Sequence, residues 1–224
     1  MDSFPRLDPA IVAAFRNLPS SAISDALDRQ GIEGAVEGLR PMLAGARMAG
    51  QAVTLAYLPV GTRRGTMGDF LHLAAPGDVL ALDMRGRTDC TAWGNILTEA
   101  AKRAGLSGTV IDGANRDIGE SRALGYPIWS RAHFMRTGKD RWQLEATNVP
   151  IALGGIRVEA GDLICADDGG VVVVPREAAV PTLEIVQRIG AKEALIQDAV
   201  RGGAELAEAR AAHGYFALQE RERR

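Results

Sequence analysis

The segment from Gly94 to Glu120 constrains the fold of this chain more than any other stretch. It reads GNILTEAAKRAGLSGTVIDGANRDIGE, and its apolar spacing predicts a helix from Asn95 to Arg103 that stops at Gly105. The run Thr109-Val110-Ile111 then predicts a buried strand, and a turn predicted at Asp112-Gly113 leads into a second short helix. A helix running down a sheet and a strand returning bring both helix beginnings to one sheet edge. The segment therefore predicts an α/β fold with a ligand site at that edge.

The rest of the chain continues the alternation of helices and strands. Amphipathic spacing predicts helices within about residues 8–30 and about 177–222. Gln51 to Pro59 reads as a strand, followed by a Gly- and Arg-rich loop and a helix near Phe70. Short strands separated by Gly and Pro follow from Ile128 to Val174. Because no linker or change of composition divides the sequence, we expect one domain over residues 1–224.

Charge and hydropathy exclude several classes of protein. The 26 Lys and Arg against 28 Asp and Glu give a net charge of −2, which disfavours a nucleic-acid partner. No run approaches the roughly eighteen apolar residues that a membrane span needs, and the start MDSFPRLDPA lacks a signal-peptide pattern. We therefore expect a cytoplasmic protein without a membrane partner. Cys90 and Cys165 are isolated in the sequence, which indicates reduced structural thiols.

The first helix beginning, Gly94-Asn95-Ile96-Leu97, is a candidate anion site. Backbone N–H groups in the first turn of a helix have no intrahelical partner, and the helix dipole is positive there, so they can hold a carboxylate or phosphate. Gly94 would allow close approach. The alternative is that Gly94 or Asn95 serves only as an N-cap, because both residue types are common caps.

The second helix beginning carries Arg116 and Asp117. An arginine fork binds a carboxylate or enolate oxygen in a fixed geometry, and the adjacent carboxylate can hold a hard divalent cation. Together the two side chains suit a small oxo acid. The alternative is structural: Asp117 followed by Glu120 matches a capping-box pattern, with Asp in place of Ser or Thr.

An ordered series of motifs over about residues 20–200 extends beyond this segment. It comprises Leu39-Arg40-Pro41, the turn Pro76-Gly77-Asp78, Gly94 to Glu120, Tyr126 to Ser130, Val149-Pro150 and Gly161 to Pro175. With these motifs the chain resembles the family that contains 4-hydroxy-4-methyl-2-oxoglutarate aldolase and the regulator of ribonuclease E activity A. The resemblance implies an α/β fold of the swivelling β/β/α type, assembled as a homotrimer or homohexamer with active sites between subunits.

The resemblance also implies roles for particular residues. Arg116 would contact the substrate, Asp117 would hold Mg²⁺ or Mn²⁺, and the backbone amides of Gly94 to Leu97 (Gly94, Asn95, Ile96 and Leu97) would contact the oxo acid. A late-helix glutamate from the neighbouring subunit also lies near the metal in such enzymes, and Glu193 is its best match here. The alternative for Glu193 is an ordinary solvated helix charge.

Together with these residues, the resemblance implies a metal-dependent lyase that cleaves a 4-hydroxy-2-oxo acid and releases pyruvate, with oxaloacetate decarboxylation as a side activity. His72, His133 and His213 have no metal-ligand spacing, so a water is the expected base for the 4-hydroxyl proton. Arg63 and Arg64 could meet a distal carboxylate or simply occupy a solvated loop. The alternative function is a non-catalytic regulator that binds a ribonuclease or helicase. A methyltransferase is disfavoured because no glycine-rich nucleoside loop is present.

Overall fold

Within residues 4–215, nine of the eleven strands form one mixed sheet, and the long strand Met48–Pro59 joins its two halves. This computed structural model describes residues 4–215. The strands are β1 (Ala35–Val36), β2 (Arg40–Pro41), β3 (Met48–Pro59), β4 (Val79–Trp93), β5 (Gly108–Asn115), β6 (Ile128–His133), β7 (Trp142–Thr147), β8 (Ile151–Leu153), β9 (Ile156–Val158), β10 (Leu163–Asp167) and β11 (Gly170–Val174). The order across the sheet is β1-β11-β10-β3-β4-β5-β6-β2, with β7 also paired to β3. Strands β3 to β6 run parallel to one another, whereas β8 and β9 form a separate hairpin.

Helices flank this sheet. They are α1 (Pro9–Arg16), α2 (Ser20–Gln30), α3 (Asn95–Arg103), α4 (Ile118–Ala123), α5 (Ala179–Arg201) and α6 (Leu206–Ala212). The predicted helical regions at both ends are confirmed within the described residues, and the last part of the predicted C-terminal region, 216–224, lies outside them. No helix between residues 4 and 215 combines the length and apolarity needed to span a bilayer.

Alternating burial along the strands creates the layers. In β4, Val79 and Ala81 face a core between the two sheet halves, whereas Leu80 and Leu82 face the opposite core beside α3. The four-valine run of β11 is divided in the same way between the inner core and the core beneath α1, α2 and α5. Successive side chains of a strand point to opposite faces, so strands covered on both faces need continuous apolar runs. The result is the predicted mixed α/β sheet with flanking helices.

Two predicted elements are wrong. The turn at Asp112-Gly113 lies inside β5, where Gly113 passes a bulge of β4 so closely that a Cβ would lie 2.8 Å from Met84 Cβ. Glycine in a strand marks such close approach as readily as it marks a turn. The helix expected near Phe70 is a single 3-10 turn, Leu71–Leu73, which ends ahead of the Pro76-Gly77 turn.

Cys90 and Cys165 are buried free thiols, as predicted. Burial raises the pKa of both thiols, so each is held in its unreactive protonated form.

Candidate functional site

The candidate site lies where β4 and β5 end side by side. Trp93, the last residue of β4, is paired with Asn115, the last residue of β5. The chain leaves these strands at Gly94 and Arg116, and the Arg116 N–H donates to the Trp93 carbonyl at 3.0 Å. Both segments therefore emerge at the carboxyl edge of the parallel strands, which is where ligands bind in open α/β sheets.

Asp117 adopts a backbone conformation that is uncommon for a non-glycine residue, with φ 57° and ψ 44°. It precedes α4 but makes no side-chain capping bond to that helix, so the capping-box alternative is wrong. Instead its Oδ2 accepts a hydrogen bond from the Asn95 N–H at 3.2 Å and lies 3.3 Å from Arg116 Nε. The left-handed turn therefore directs the carboxylate to the beginning of α3.

Gly94 allows Arg116 and Asp117 to approach closely because it has no side chain. A Cβ at this position would lie 2.5 Å from Asp117 Oδ2 and 3.2 Å from Arg116 Nε. Gly94 is also the N-cap residue of α3, but it provides no side-chain cap. Glycine is needed at this position because Asp117 and Arg116 approach it closely, not because it caps the helix.

Buried hydroxyls connect the two helix beginnings. Thr98 Oγ1 lies 2.9 Å from the Gly94 carbonyl and 3.1 Å from Ser121 Oγ, and it accepts from Trp93 Nε1 at 2.9 Å. Thr98 and Ser121 are fully buried. This network joins the loop at Gly94 to the helix that follows Asp117.

The predicted residues Gly94, Asn95, Ile96, Leu97, Arg116 and Asp117 all line one cavity of about 310 Å³. No local sequence pattern indicates its other walls, which include Met67, Gly68, Thr91 and Thr137. Thr91 in β4 and Thr137 in the loop after β6 are neighbours in the sheet despite their separation in sequence. A second cavity of about 270 Å³ is bounded by Arg116 and Asp117 and by residues 133–135.

Two of the four predicted anion-binding amides already have partners. The Asn95 N–H donates to Asp117, and the Ile96 N–H donates to the Asn95 side-chain oxygen at 2.9 Å. An incoming carboxylate would therefore replace side-chain oxygens at these positions.

Glu193 is not part of the cavity wall in this chain. It lies on α5, which packs against α1, α2 and α6 rather than against α3 or α4. Within residues 4–215, no group of three or more His, Cys, Asp or Glu side chains could hold a metal ion. Asp117 is thus the predicted metal ligand that this chain brings to the cavity.

The other candidates are packing or surface residues. Trp93, Trp129 and Tyr126 are buried, and Trp93, which also lines the first cavity, stacks on Tyr126 with ring centroids 6.5 Å apart. Arg63 and Arg64 are exposed, and Arg64 lies 3.9 Å from an Asp140 carboxylate oxygen.

The sequence predicts no role for His133, which lies at the end of β6 and lines the second cavity. Its Nδ1 is 2.8 Å from the side-chain oxygen of Asn115, which is fully buried. Burial lowers the pKa of the imidazole below its usual value, and the positive charge of Arg122 lowers it further. A lone histidine at the end of a strand gave no local signal for this arrangement.

The fold and the cavity define a β/β/α-layered protein that carries an arginine–aspartate pair at the carboxyl edge of its parallel strands. The family described as RraA-like, Aldolase/RraA, matches residues 20–173. The chain belongs to this family.

Three proteins that are similar to this chain carry names that differ in the function they state or suggest. "Protein DlpA" of Legionella pneumophila is 33% identical over 210 residues, which cover 92% of this chain but 34% of DlpA, about a third of its length. A Halalkalibacterium halodurans protein named "Putative 4-hydroxy-4-methyl-2-oxoglutarate aldolase" is 35% identical over 74% of this chain and 76% of its own length. The solved structure of Streptomyces coelicolor RraAS2, described as an unusual member of the RNase ES inhibitor RraA protein family, has a TM-score of 0.73 and 32% identity. That likeness covers 81% of this chain and 92% of RraAS2.

Proposed function

We propose that this chain is a divalent-metal-dependent lyase that cleaves a 4-hydroxy-2-oxo acid and releases pyruvate. The observation that carries the proposal is the convergence of Arg116, Asp117 and the start of α3 on one cavity of about 310 Å³. A relative named for 4-hydroxy-4-methyl-2-oxoglutarate aldolase activity supports the same reaction class. Arg116 and Asp117 are the proposed catalytic residues.

The chemistry of Asp117 fits a hard divalent cation. Its Oδ2 is held by Asn95 and Arg116, whereas Oδ1 receives no hydrogen bond from residues 4–215. Mg²⁺ is commonly bound through one or two carboxylates while water and substrate complete its coordination, so Asp117 can anchor the ion together with the glutamate expected from a neighbouring subunit. Mg²⁺ or Mn²⁺ is the proposed cofactor. When bound, it would act as a Lewis acid on the oxo acid.

Arg116 would stabilise the charge that forms during cleavage. Breaking the bond between C3 and C4 leaves an electron pair that becomes an enolate of pyruvate. A guanidinium placed beside the oxo acid faces that new charge before the bond breaks, and such a preorganised donor typically contributes about 3–4 kcal/mol. Oxaloacetate decarboxylation gives the same enolate, so we include it as a side activity.

The start of α3 would receive the substrate carboxylate. Leu97 has a first-turn amide, and the Asn95 side chain can rotate away from the Ile96 N–H to expose a second one. Because these contacts come from the main chain, the exact side chains at 95–97 matter less than the presence of Gly94.

A coupled assay tests this proposal directly. Pyruvate release is followed with a dehydrogenase, using 4-hydroxy-4-methyl-2-oxoglutarate, 4-carboxy-4-hydroxy-2-oxoadipate and oxaloacetate, with and without Mg²⁺ or Mn²⁺. We expect Asp117→Ala to abolish metal-dependent turnover because it removes the metal ligand. Arg116→Ala should lower kcat/KM at least about a hundredfold because it removes the positive charge that faces the enolate. Arg103→Ala, at the exposed far end of α3, is the matched control. Wild-type rates in either site variant would exclude the assignment.

A regulatory role is the second candidate. The likeness to a member of the RNase ES inhibitor family supports it. Binding of a purified ribonuclease or helicase by both wild type and Asp117→Ala, without lyase activity in either, would favour the regulator over the enzyme.

A further inference from the structure

The second cavity gives the Arg116–Asp117 pair a titratable neighbour. The pair forms a wall common to both cavities, and His133, Phe134 and Met135 line the second one. A group in the second cavity can therefore act on a substrate held against the same two side chains. His133 is the residue there whose chemistry fits proton transfer.

Asn115 fixes the tautomer of His133. The buried amide oxygen of Asn115 lies 2.8 Å from His133 Nδ1 and accepts from Ser130 Oγ at 3.0 Å. The Asn115 nitrogen faces Met42 Sδ at 3.4 Å, and because a thioether carries no proton, the amide N–H group belongs on that side. An amide oxygen accepts hydrogen bonds only, so Nδ1 carries the proton and Nε2 has the free electron pair.

The charges around the ring favour its neutral form. Burial lowers the pKa of His133 most, and the positive charge of Arg122 on α4 lowers it further. A hydrogen bond with the backbone of Ala132 raises the pKa, but the net shift is still downward. Arg116 and Asp117 are the charged side chains on the other wall of the cavity. A neutral imidazole of fixed tautomer is ready to accept a proton near neutral pH.

We infer that His133 Nε2 accepts the proton of the substrate's 4-hydroxyl group, directly or through one water, an inference that rests on the proposed lyase function. The O–H electron pair then forms the carbonyl of the departing fragment, the bond between C3 and C4 breaks, and its electrons form the pyruvate enolate. The imidazolium returns its proton to C3 of the enolate, which restores neutral His133. Atoms and charge balance without a further reactant.

Two reactions separate this role from a structural one. Cleavage of a 4-hydroxy-2-oxo acid needs a base, whereas decarboxylation of oxaloacetate has no hydroxyl proton to remove. In the His133→Gln variant we expect kcat for cleavage of 4-hydroxy-4-methyl-2-oxoglutarate to fall about a hundredfold, the usual scale for a general base. Oxaloacetate decarboxylation should fall less than about threefold, which also reports that the variant is folded and binds metal. The control is His72→Gln, which changes an exposed histidine outside both cavities and should leave both reactions unaltered.

Equal losses of both reactions in His133→Gln would overturn the inference and assign His133 to structure, and unchanged cleavage would overturn it as well. Failure of the proposed function looks different, because the wild-type chain itself would then release no pyruvate from any of the substrates. In that case the nitrogen NMR shifts of His133 test which ring nitrogen carries the proton. An Nε2-protonated neutral ring would exclude the assigned acceptor atom.

Discussion

Gly94 is the residue at which one added methyl group should affect chemistry without affecting folding. Its φ of −151° suits any residue, so Gly94→Ala introduces no backbone strain, but the new Cβ would meet Asp117 Oδ2 at 2.5 Å. The carboxylate can move away by rotation. We therefore expect a stability change below about 1 kcal/mol but a loss of pyruvate release of tenfold or more.

Thermal unfolding and the coupled pyruvate assay measure the two effects separately. Gly119→Ala is the matched control, because a Cβ there has no neighbour within 4 Å. A Gly94→Ala variant with wild-type turnover would show that the position of the Asp117 carboxylate does not limit the reaction.

Individual residues also show why sequence reasoning reached only part of the site. The residue types at Arg116 and Asp117 indicate their chemistry, but the spacing of Asp117 and Glu120 equally matches a helix cap. The choice depends on the left-handed backbone of Asp117 and its bond to Asn95, which no local pattern encodes. His133 was missed because its partner Asn115 lies on another strand.

The helices α3 and α4 depend on each other through Thr98. Thr98→Val removes the hydroxyl that accepts from Trp93 Nε1 and contacts Ser121 Oγ, and leaves both groups buried without that partner. We expect the free energy of unfolding to fall by about 1–3 kcal/mol, the cost of an unsatisfied buried polar group. Thr98→Ser retains the hydroxyl and should lose less than about 1.5 kcal/mol. Denaturant unfolding of the two variants makes the comparison, and a larger loss in Thr98→Ser than in Thr98→Val would indicate that the methyl group, not the hydroxyl, matters.

Elements were predictable where local periodicity and stop signals agree. The helix Asn95–Arg103 has the predicted bounds because Gly94, the amphipathic spacing and Gly105 all indicate the same limits. Strand β5 was cut short at Asp112-Gly113 because Gly113 is required by a bulge in β4, a neighbouring strand. A tertiary contact of this kind has the same residue signature as a turn.

The assembly is the part that a single chain does not specify. Ile96 and Met135 expose large apolar surfaces beside the site, and Leu195 is 52% exposed on α5, two residues after Glu193. In the expected trimer or hexamer, a neighbouring subunit would cover side chains of this kind. In such an assembly Glu193 would come to the metal from a neighbouring copy.

Mixed oligomers test the placement of Glu193. Asp117→Ala and Glu193→Ala should each be inactive or strongly impaired as pure proteins, but a site formed by Asp117 of one subunit and Glu193 of the next is intact when each variant supplies its unaltered residue. In co-expressed, doubly tagged oligomers with random subunit order, about a third of the sites in a trimer, or about a quarter in a hexamer, should therefore regain activity. If both residues had to come from the same chain, every chain would carry one defect and mixing would restore nothing. As a reference, oligomers that mix Glu193→Gln with wild-type subunits show how activity changes when weakened sites are only diluted by intact ones.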